Sequence, residues 1–189
     1  MPNAETNTLQ LDDSANAHKR KANSVAKVIL YMATNQLRVL LADDDRDDCL
    51  FFKEALEELP LSTRLTIVND GDQLMKLLLK NRSQLPHVLF LDLNMPRKNG
   101  FECLTEIKLN DKLKSLPAIM YTTSFEQDVI ARLYQNGAQH FIRKPFDFLQ
   151  FKRVIHYSLT LIMQETNSQR TKNNFILTGE NDYINPKSF

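Results

Sequence analysis

The stretch VLFLDLNMPRKNG, residues 88–100, decides how the rest of the chain is interpreted. Its first four residues are apolar and lack a helical period, which is typical of a short strand buried on both faces of a parallel sheet. Pro96 and the pair Asn99-Gly100 then predict a loop. Asp92 therefore stands where a buried strand ends, and in open α/β sheets ligands bind at the carboxyl ends of the strands.

Composition and charge narrow the class of protein. The chain has 189 residues, 42% hydrophobic and 25% charged, as expected for one globular domain with tails. The net charge of +1 gives no electrostatic reason to expect nucleic acid or an anionic membrane as a partner. The apolar runs are too short to cross a bilayer, and the first residues lack the layout of a signal peptide. We therefore expect a cytoplasmic protein in which Cys49 and Cys103 are reduced thiols.

Both ends of the chain differ from the middle. Residues 1–36 are mostly polar and predict a flexible extension; whether translation starts at Met32 is left open. Residues 165–189 predict a C-terminal tail, in which the apolar segment 175–177 could dock on the domain. This tail is too short to form a DNA-binding output domain with its own core.

Strand and helix patterns alternate through residues 37–164. This alternation predicts an α/β protein with a doubly wound, five-stranded parallel sheet and helices on both faces. The predicted strands cover residues 37–42, 65–68, 88–91, 118–121 and 140–142. The last helix is predicted over residues 148–163. Three histidines show no metal-ligand spacing and are interpreted as surface or boundary residues: His87, His140 and His156.

Polar residues follow four of the predicted strands. Asp43 and Asp44 follow the first strand, and Asp47 or Asp48 is interpreted as a cap or first-turn acid of the next helix. Adjacent carboxylates at a strand end are suited to a hard cation with oxygen ligands. Asp92, Thr122 and Lys144 follow three other strands and should meet the acidic pair at one edge of the sheet. Such a set outlines a phosphoryl-transfer site, with one carboxylate as the nucleophile and the cation, ammonium and hydroxyl offsetting phosphate charge.

These residues, with the pattern DxxMPxxxG from Asp92 to Gly100, resemble the response-regulator receiver domain, the CheY-like family of two-component signalling. The resemblance covers about residues 37–164 and is strongest to stand-alone receivers, including the phytochrome-associated ones. It implies a flavodoxin-like fold with the strand order 2-1-3-4-5.

The resemblance also implies a role for each residue at the strand ends. Asp92 is expected to accept the phosphoryl group, while Asp44 binds Mg²⁺ directly and Asp43 binds it mainly through water. The backbone carbonyl of Asn94 and the carboxylate of Asp92 are expected to complete the metal site.

A second group of residues is expected to respond to the phosphate. Thr122 is the expected switch hydroxyl, and Phe141 takes the place of the switch aromatic. Lys144 is expected to pair with the phosphate, with a cis bond between Lys144 and Pro145. Each position has a plain structural alternative as a cap, a turn hydroxyl, a surface lysine or a core aromatic.

The function expected from this resemblance is that of a single-domain response regulator. It would take its phosphoryl group from a sensor histidine kinase or a histidine phosphotransfer protein, and would catalyse its own phosphorylation and dephosphorylation. Its downstream target would be another protein. A homodimer could form through the fourth helix, the fifth strand and the last helix, because apolar residues of the last helix exceed one core stripe. These residues are Leu149, Val154, Tyr157 and Leu161.

Two alternatives remain open on the sequence. One is a pseudo-receiver that binds partners without phosphorylation, although the complete set of strand-end residues disfavours it. The other is a flavodoxin-like or haloacid-dehalogenase-type phosphatase, of which the latter needs a second acid two residues after the nucleophile. The chain has Asn94 at that position, so the added general acid is missing.

Overall fold

The computed structural model describes residues 36–80, 84–164 and 175–178. The predictions made for residues 1–35, including a start at Met32, lie outside the described residues. The same holds for most of the predicted tail.

The strands form one parallel sheet in the order β2-β1-β3-β4-β5-β6. The predicted doubly wound sheet and the order 2-1-3-4-5 are confirmed for the first five strands, and a sixth strand extends the sheet beyond β5. The strands are β1 (Leu37–Ala42), β2 (Thr63–Val68), β3 (Val88–Leu91), β4 (Ala118–Thr122), β5 (His140–Arg143) and β6 (Ile176–Leu177).

Helices cover both faces of the sheet. They are α1 (Arg46–Glu57), α2 (Gly71–Lys80), α3 (Gly100–Leu109), α4 (Gln127–Gln135) and α5 (Phe148–Gln164). One core cluster joins α2, α3 and α4 to the sheet, and a second joins α1 and α5 to its other face. Every residue of β3 and β4 is buried, as their continuous apolar sequences predict.

Local capping explains where two of these helices begin. The Asp45 carboxylate accepts hydrogen bonds from the backbone N–H groups of Asp47 and Asp48 at 2.8 and 3.1 Å. Asp45 is therefore the N-cap of α1. Asp47 and Asp48 lie in the first turn of the helix, which confirms one of the two roles predicted for them and not the other: they are first-turn acids, and neither is the cap. A reciprocal capping box between Asn99 and Glu102 starts α3.

Two other expectations are corrected by burial. His140 is fully buried rather than at the surface, because β5 is covered by helices on both faces and by a strand on its outer edge. Val154 is also fully buried. This residue of α5 therefore packs in the core and is not part of the apolar surface expected to be left over for a partner. Leu149 remains 51% exposed.

The sixth strand ties the tail to the domain. The backbone N–H of Phe141 in β5 donates to the carbonyl of Phe175 at 2.7 Å, and Ile142 aligns with Leu177. The Phe175 side chain is buried and meets the Tyr134 ring edge-on, at 5.1 Å between ring centroids. The tail therefore covers an edge of β5 that would otherwise present unpaired backbone groups.

We expect Phe175→Ala to detach this strand. Truncation of a buried Phe costs about 3–5 kcal/mol, and β6 has only two residues to hold it in place. Detachment frees the Phe141 amide from its acceptor, so hydrogen exchange at that amide should accelerate. Thr178→Ala, which leaves Phe175 in place, is the control. Unchanged exchange at Phe141 in the Phe175→Ala variant would contradict the expectation.

Candidate functional site

The sheet register brings the acidic residues together. The Asp92 backbone N–H donates to the Ala42 carbonyl at 2.9 Å, so the end of β3 lies beside the end of β1. Asp43 continues β1 and donates its own N–H to the Val68 carbonyl at 3.0 Å. The two carboxylates therefore occupy adjacent positions at the carboxyl edge of the sheet.

Three carboxylates converge at this edge. One oxygen from each of Asp43, Asp44 and Asp92 lies within 4.8 Å of the others. Asp43 and Asp92 are 1% and 5% exposed, whereas Asp44 is exposed and leaves the cluster open to solvent. Oxygen ligands with one open side suit Mg²⁺, which retains some of its water when bound. The residues present therefore fit the expected divalent cation.

Lys144 is the ammonium partner of this cluster. Its Nζ lies 2.7 Å from Oδ2 of Asp43 and 2.7 Å from Oδ2 of Asp48. Its distance to Oδ1 of Asp92 is 3.3 Å, and it also lies 4.8 Å from the centroid of the Tyr121 ring. Lys144 thus pairs with three carboxylates, and Asp44 adds a fourth negative charge beside Asp43 and Asp92. These groups together carry excess negative charge that a divalent cation would offset.

Burial and hydrogen bonding shift the pKa values of both Asp43 and Lys144. Burial raises the pKa of Asp43 to about 6, although the hydrogen bond and charge of Lys144 act in the opposite direction. For Lys144, burial disfavours the charged form, but hydrogen bonds to Asp43 and Asp48 outweigh it and raise the pKa of the ammonium. Lys144 therefore stays charged at neutral pH.

The loop after β3 holds the Asp92 carboxylate in position. The Asn94 backbone N–H donates to Oδ2 of Asp92 at 2.6 Å. The Gly100 N–H donates to the Leu93 carbonyl at 2.9 Å and folds the loop back over the end of β3. The role of the Asn94 carbonyl as a metal ligand stays a prediction.

The expected switch residues lie on the neighbouring strands. Thr122 is fully buried at the end of β4, and its hydroxyl accepts a hydrogen bond from the Ser124 N–H at 3.4 Å. Phe141 is fully buried, with its ring centroid 6.0 Å from that of Phe125. The aromatic ring thus points inward in this structure.

The expectation of a cis bond between Lys144 and Pro145 was wrong. Among the described residues the structure has no cis peptide bond. A trans bond before proline is favoured by about 0.5–1 kcal/mol in general. Lys144 reaches its carboxylate partners from the trans backbone, so the position of the ammonium does not require the cis form.

Two interactions of the site were missed on the sequence. The first is the pairing of Asp48 with Lys144 described above. The second joins the loops after β2 and β3: fully buried Asp70 accepts a hydrogen bond from the Gln73 backbone N–H at 2.7 Å and pairs with Arg97. Arg97 has φ 68, a left-handed conformation that is unusual for a residue with a side chain. The ion pair therefore supports the loop that carries Asn94.

This second interaction predicts a pH dependence of stability. The hydrogen bond from Arg97 lowers the pKa of Asp70 to about 2, so the folded state favours the ionised carboxylate. The resulting stabilisation is present above the unfolded-state pKa of about 4 and is lost as the pH falls from about 4 to about 2. Wild type should therefore exceed Asp70→Asn in free energy of unfolding at pH 7, with the difference shrinking over that range.

Urea unfolding at a series of pH values measures this difference. Asp72→Asn is the control, since Asp72 is an exposed acid in the first turn of the same helix. A difference between wild type and Asp70→Asn that persists unchanged at pH 2 would contradict the ion-pair account.

Comparison with known families identifies the family of this chain. The family described as the response regulator receiver domain matches residues 39–156. The chain belongs to this family. It is thus a receiver-domain response regulator of two-component signalling, a class of signalling proteins that interact with histidine kinases or phosphotransfer proteins and bind Mg²⁺ or Mn²⁺ at an acidic pocket.

Individual relatives of this receiver agree with the family assignment. Response regulator Rcp1 of Synechocystis sp. is 33% identical over 110 residues, which cover 56% of this chain and 75% of Rcp1. The Mn²⁺-bound structure of Rcp1 covers 71% of this chain and 99% of its own, with a TM-score of 0.61 and 27% identity. The phosphorylated cyanobacterial phytochrome response regulator RcpA covers 72% of this chain and 100% of its own, with a TM-score of 0.62 and 27% identity.

In the part of the chain that the structure describes, no helix combines the length and apolar character needed to cross a bilayer.

Proposed function

We propose that this receiver accepts a phosphoryl group on Asp92 in a Mg²⁺-dependent reaction and passes the signal on by protein–protein contact. The donor is a sensor histidine kinase or a histidine phosphotransfer protein, and the protein acts in the cytoplasm. The observation that supports this proposal is the convergence of Asp43, Asp44 and Asp92 beside the ammonium of Lys144.

The reaction follows from the chemistry of these groups. The Asp92 carboxylate attacks phosphorus, a P–O bond forms, and the P–N bond of the phosphohistidine breaks with its electron pair passing to the imidazole. Asp43, Asp44 and Asp92 would hold Mg²⁺, which would offset the negative charge of the phosphoryl oxygens. The Lys144 ammonium adds a fixed positive charge 3.3 Å from Oδ1 of Asp92.

The response is proposed to pass through β4 and β5. Thr122 and Phe141 belong to these neighbouring strands, so a shift of the hydroxyl toward phosphate would alter the packing of the aromatic ring. The face formed by α4, β5 and α5 is the proposed contact surface for a protein target or a second copy. Because β6 covers the outer edge of β5, a partner at this face would meet helix surfaces and the tail strand.

Labelling by acetyl phosphate tests the proposed function. Wild type should form a stable phosphoprotein in Mg²⁺ and none in excess EDTA. Asp44→Ala should abolish labelling without loss of the fold, because it removes a metal ligand and relieves repulsion among the clustered carboxylates. Asp47→Ala is the matched control, since Asp47 is an exposed acid in the first turn of α1.

The same experiment separates the alternatives. Absence of any reaction would indicate a pseudo-receiver, and rapid turnover without a phosphoprotein would indicate a phosphatase. Full labelling of Asp44→Ala, or of wild type in EDTA, would contradict the assigned metal site.

A further inference from the structure

We propose that Asp48 is a positioning residue that holds the Lys144 ammonium against Asp92, an inference that rests on the proposed phosphorylation of Asp92. Asp48 is the third residue of α1, and Lys144 follows β5, so the contact joins two elements 96 residues apart in sequence.

The geometry around the ammonium carries the inference. A lysine ammonium has three N–H donors and no acceptor. Two donors make bonds of 2.7 Å, one to Oδ2 of Asp43 and one to Oδ2 of Asp48. These two short bonds fix the orientation of the group, and the third donor is left for Oδ1 of Asp92 at 3.3 Å.

Asp43 and Asp48 both make short bonds to Lys144, but they differ in whether they also belong to the candidate cation site. Asp43 belongs to the cluster of three carboxylates that could hold a cation, and Asp48 does not. A cation held by that cluster would compete for the Asp43 carboxylate, whereas Asp48 would remain available to bond Lys144. Asp48 is the partner that keeps Lys144 oriented while the cation site is in use.

Asp48 is itself well placed for this purpose. Its backbone N–H is bonded to the N-cap Asp45 at 3.1 Å, which fixes the start of α1. Its side chain is 37% exposed, whereas that of Lys144 is 8% exposed. The carboxylate thus reaches from the rim of the site to a buried ammonium.

A bystander carboxylate would have the opposite effect. Negative charge at the rim repels an anionic phosphodonor, so its removal should accelerate labelling by acetyl phosphate. A positioning residue should instead slow the reaction when it is removed. The sign of the rate change therefore distinguishes the two roles.

The test measures labelling rates of the full chain in Mg²⁺ at a series of acetyl phosphate concentrations. Asp48→Asn should lower the maximal rate by about tenfold, the value of one hydrogen bond to a charged group, with little change in half-saturating concentration. Asp48→Glu should recover most of the rate by restoring a carboxylate. Asp47→Asn makes the same charge change one residue earlier, at an exposed acid with no bond to Lys144, and should label at least as fast as wild type.

A second readout is independent of labelling. In the metal-free protein, NMR of the Lys144 ammonium should show protons protected from exchange in wild type and Asp47→Asn, and lost protection in Asp48→Asn. In a Lys144→Gln background, Asp48→Asn should have no further effect on the labelling rate, since the pair acts as a unit.

The outcomes are distinct. Three results would overturn the role of Asp48 while leaving the proposed function intact. They are wild-type or faster labelling of Asp48→Asn, unchanged protection of the Lys144 ammonium in that variant, and an equal slowing by Asp48→Asn in the Lys144→Gln background. If wild type itself takes no label in Mg²⁺, the proposed function fails and this inference fails with it.

Discussion

Replacing Asp92 by Asn is expected to reduce labelling by acetyl phosphate to background. The substitution keeps the shape of the side chain and removes the nucleophilic oxygen anion. The Asn94 N–H can still donate to the amide oxygen, and Lys144 keeps its short bonds to Asp43 and Asp48. The site should therefore retain its architecture while losing its reaction.

Stability separates this loss of reaction from a loss of fold. Asp92→Asn removes one of three clustered carboxylates, so its thermal midpoint should equal or exceed that of wild type. Asp128→Asn is the control, because Asp128 is an exposed acid in the first turn of α4. Stoichiometric labelling of Asp92→Asn would contradict the assignment of the phosphoacceptor.

Gly100→Ala is expected to impair both the fold and the site. A Cβ at position 100 would overlap the backbone carbonyl oxygen of Asp92 and lie 2.9 Å from its carbonyl carbon. These are backbone atoms that cannot move aside without moving the end of β3. Overpacking of this kind costs about 1–3 kcal/mol in general, and here any relief displaces Asp92.

A second glycine provides the matched control. Gly137 has φ 91, so Gly137→Ala should also lower the free energy of unfolding, but the nearest atom to its Cβ would be Cγ of the Lys108 side chain at 3.2 Å, and no atom of Asp92 is among its neighbours. At a temperature where both variants are folded, labelling should fall in Gly100→Ala and persist in Gly137→Ala. Wild-type labelling and stability of Gly100→Ala would contradict the close approach of the loop to Asp92.

The meeting of the strand ends could be predicted from the sequence for a simple reason. In a parallel sheet all carboxyl ends lie at one edge, so residues such as Asp43, Asp92 and Lys144 converge whatever the details of packing. The final glycine of the DxxMPxxxG pattern has a physical cause as well, since only Gly100 allows α3 to begin against the Asp92 carbonyl.

Other features depend on packing that has no local sequence signal. The pairing of Asp48 with Lys144 requires α1 and β5 to approach each other across 96 residues, and a first-turn acid looks like an ordinary capping residue. β6 was not predicted as a strand because two residues show no periodicity. His140 was misplaced because its burial depends on the elements that cover β5.

The most direct test of the central claim is peptide mapping of the wild-type protein after reaction with acetyl phosphate in Mg²⁺. The account predicts that the phosphoryl group is found on the peptide that contains Asp92 and is assigned to that carboxylate. A stable phosphoryl group on any other residue, with Asp92 unmodified, would contradict it.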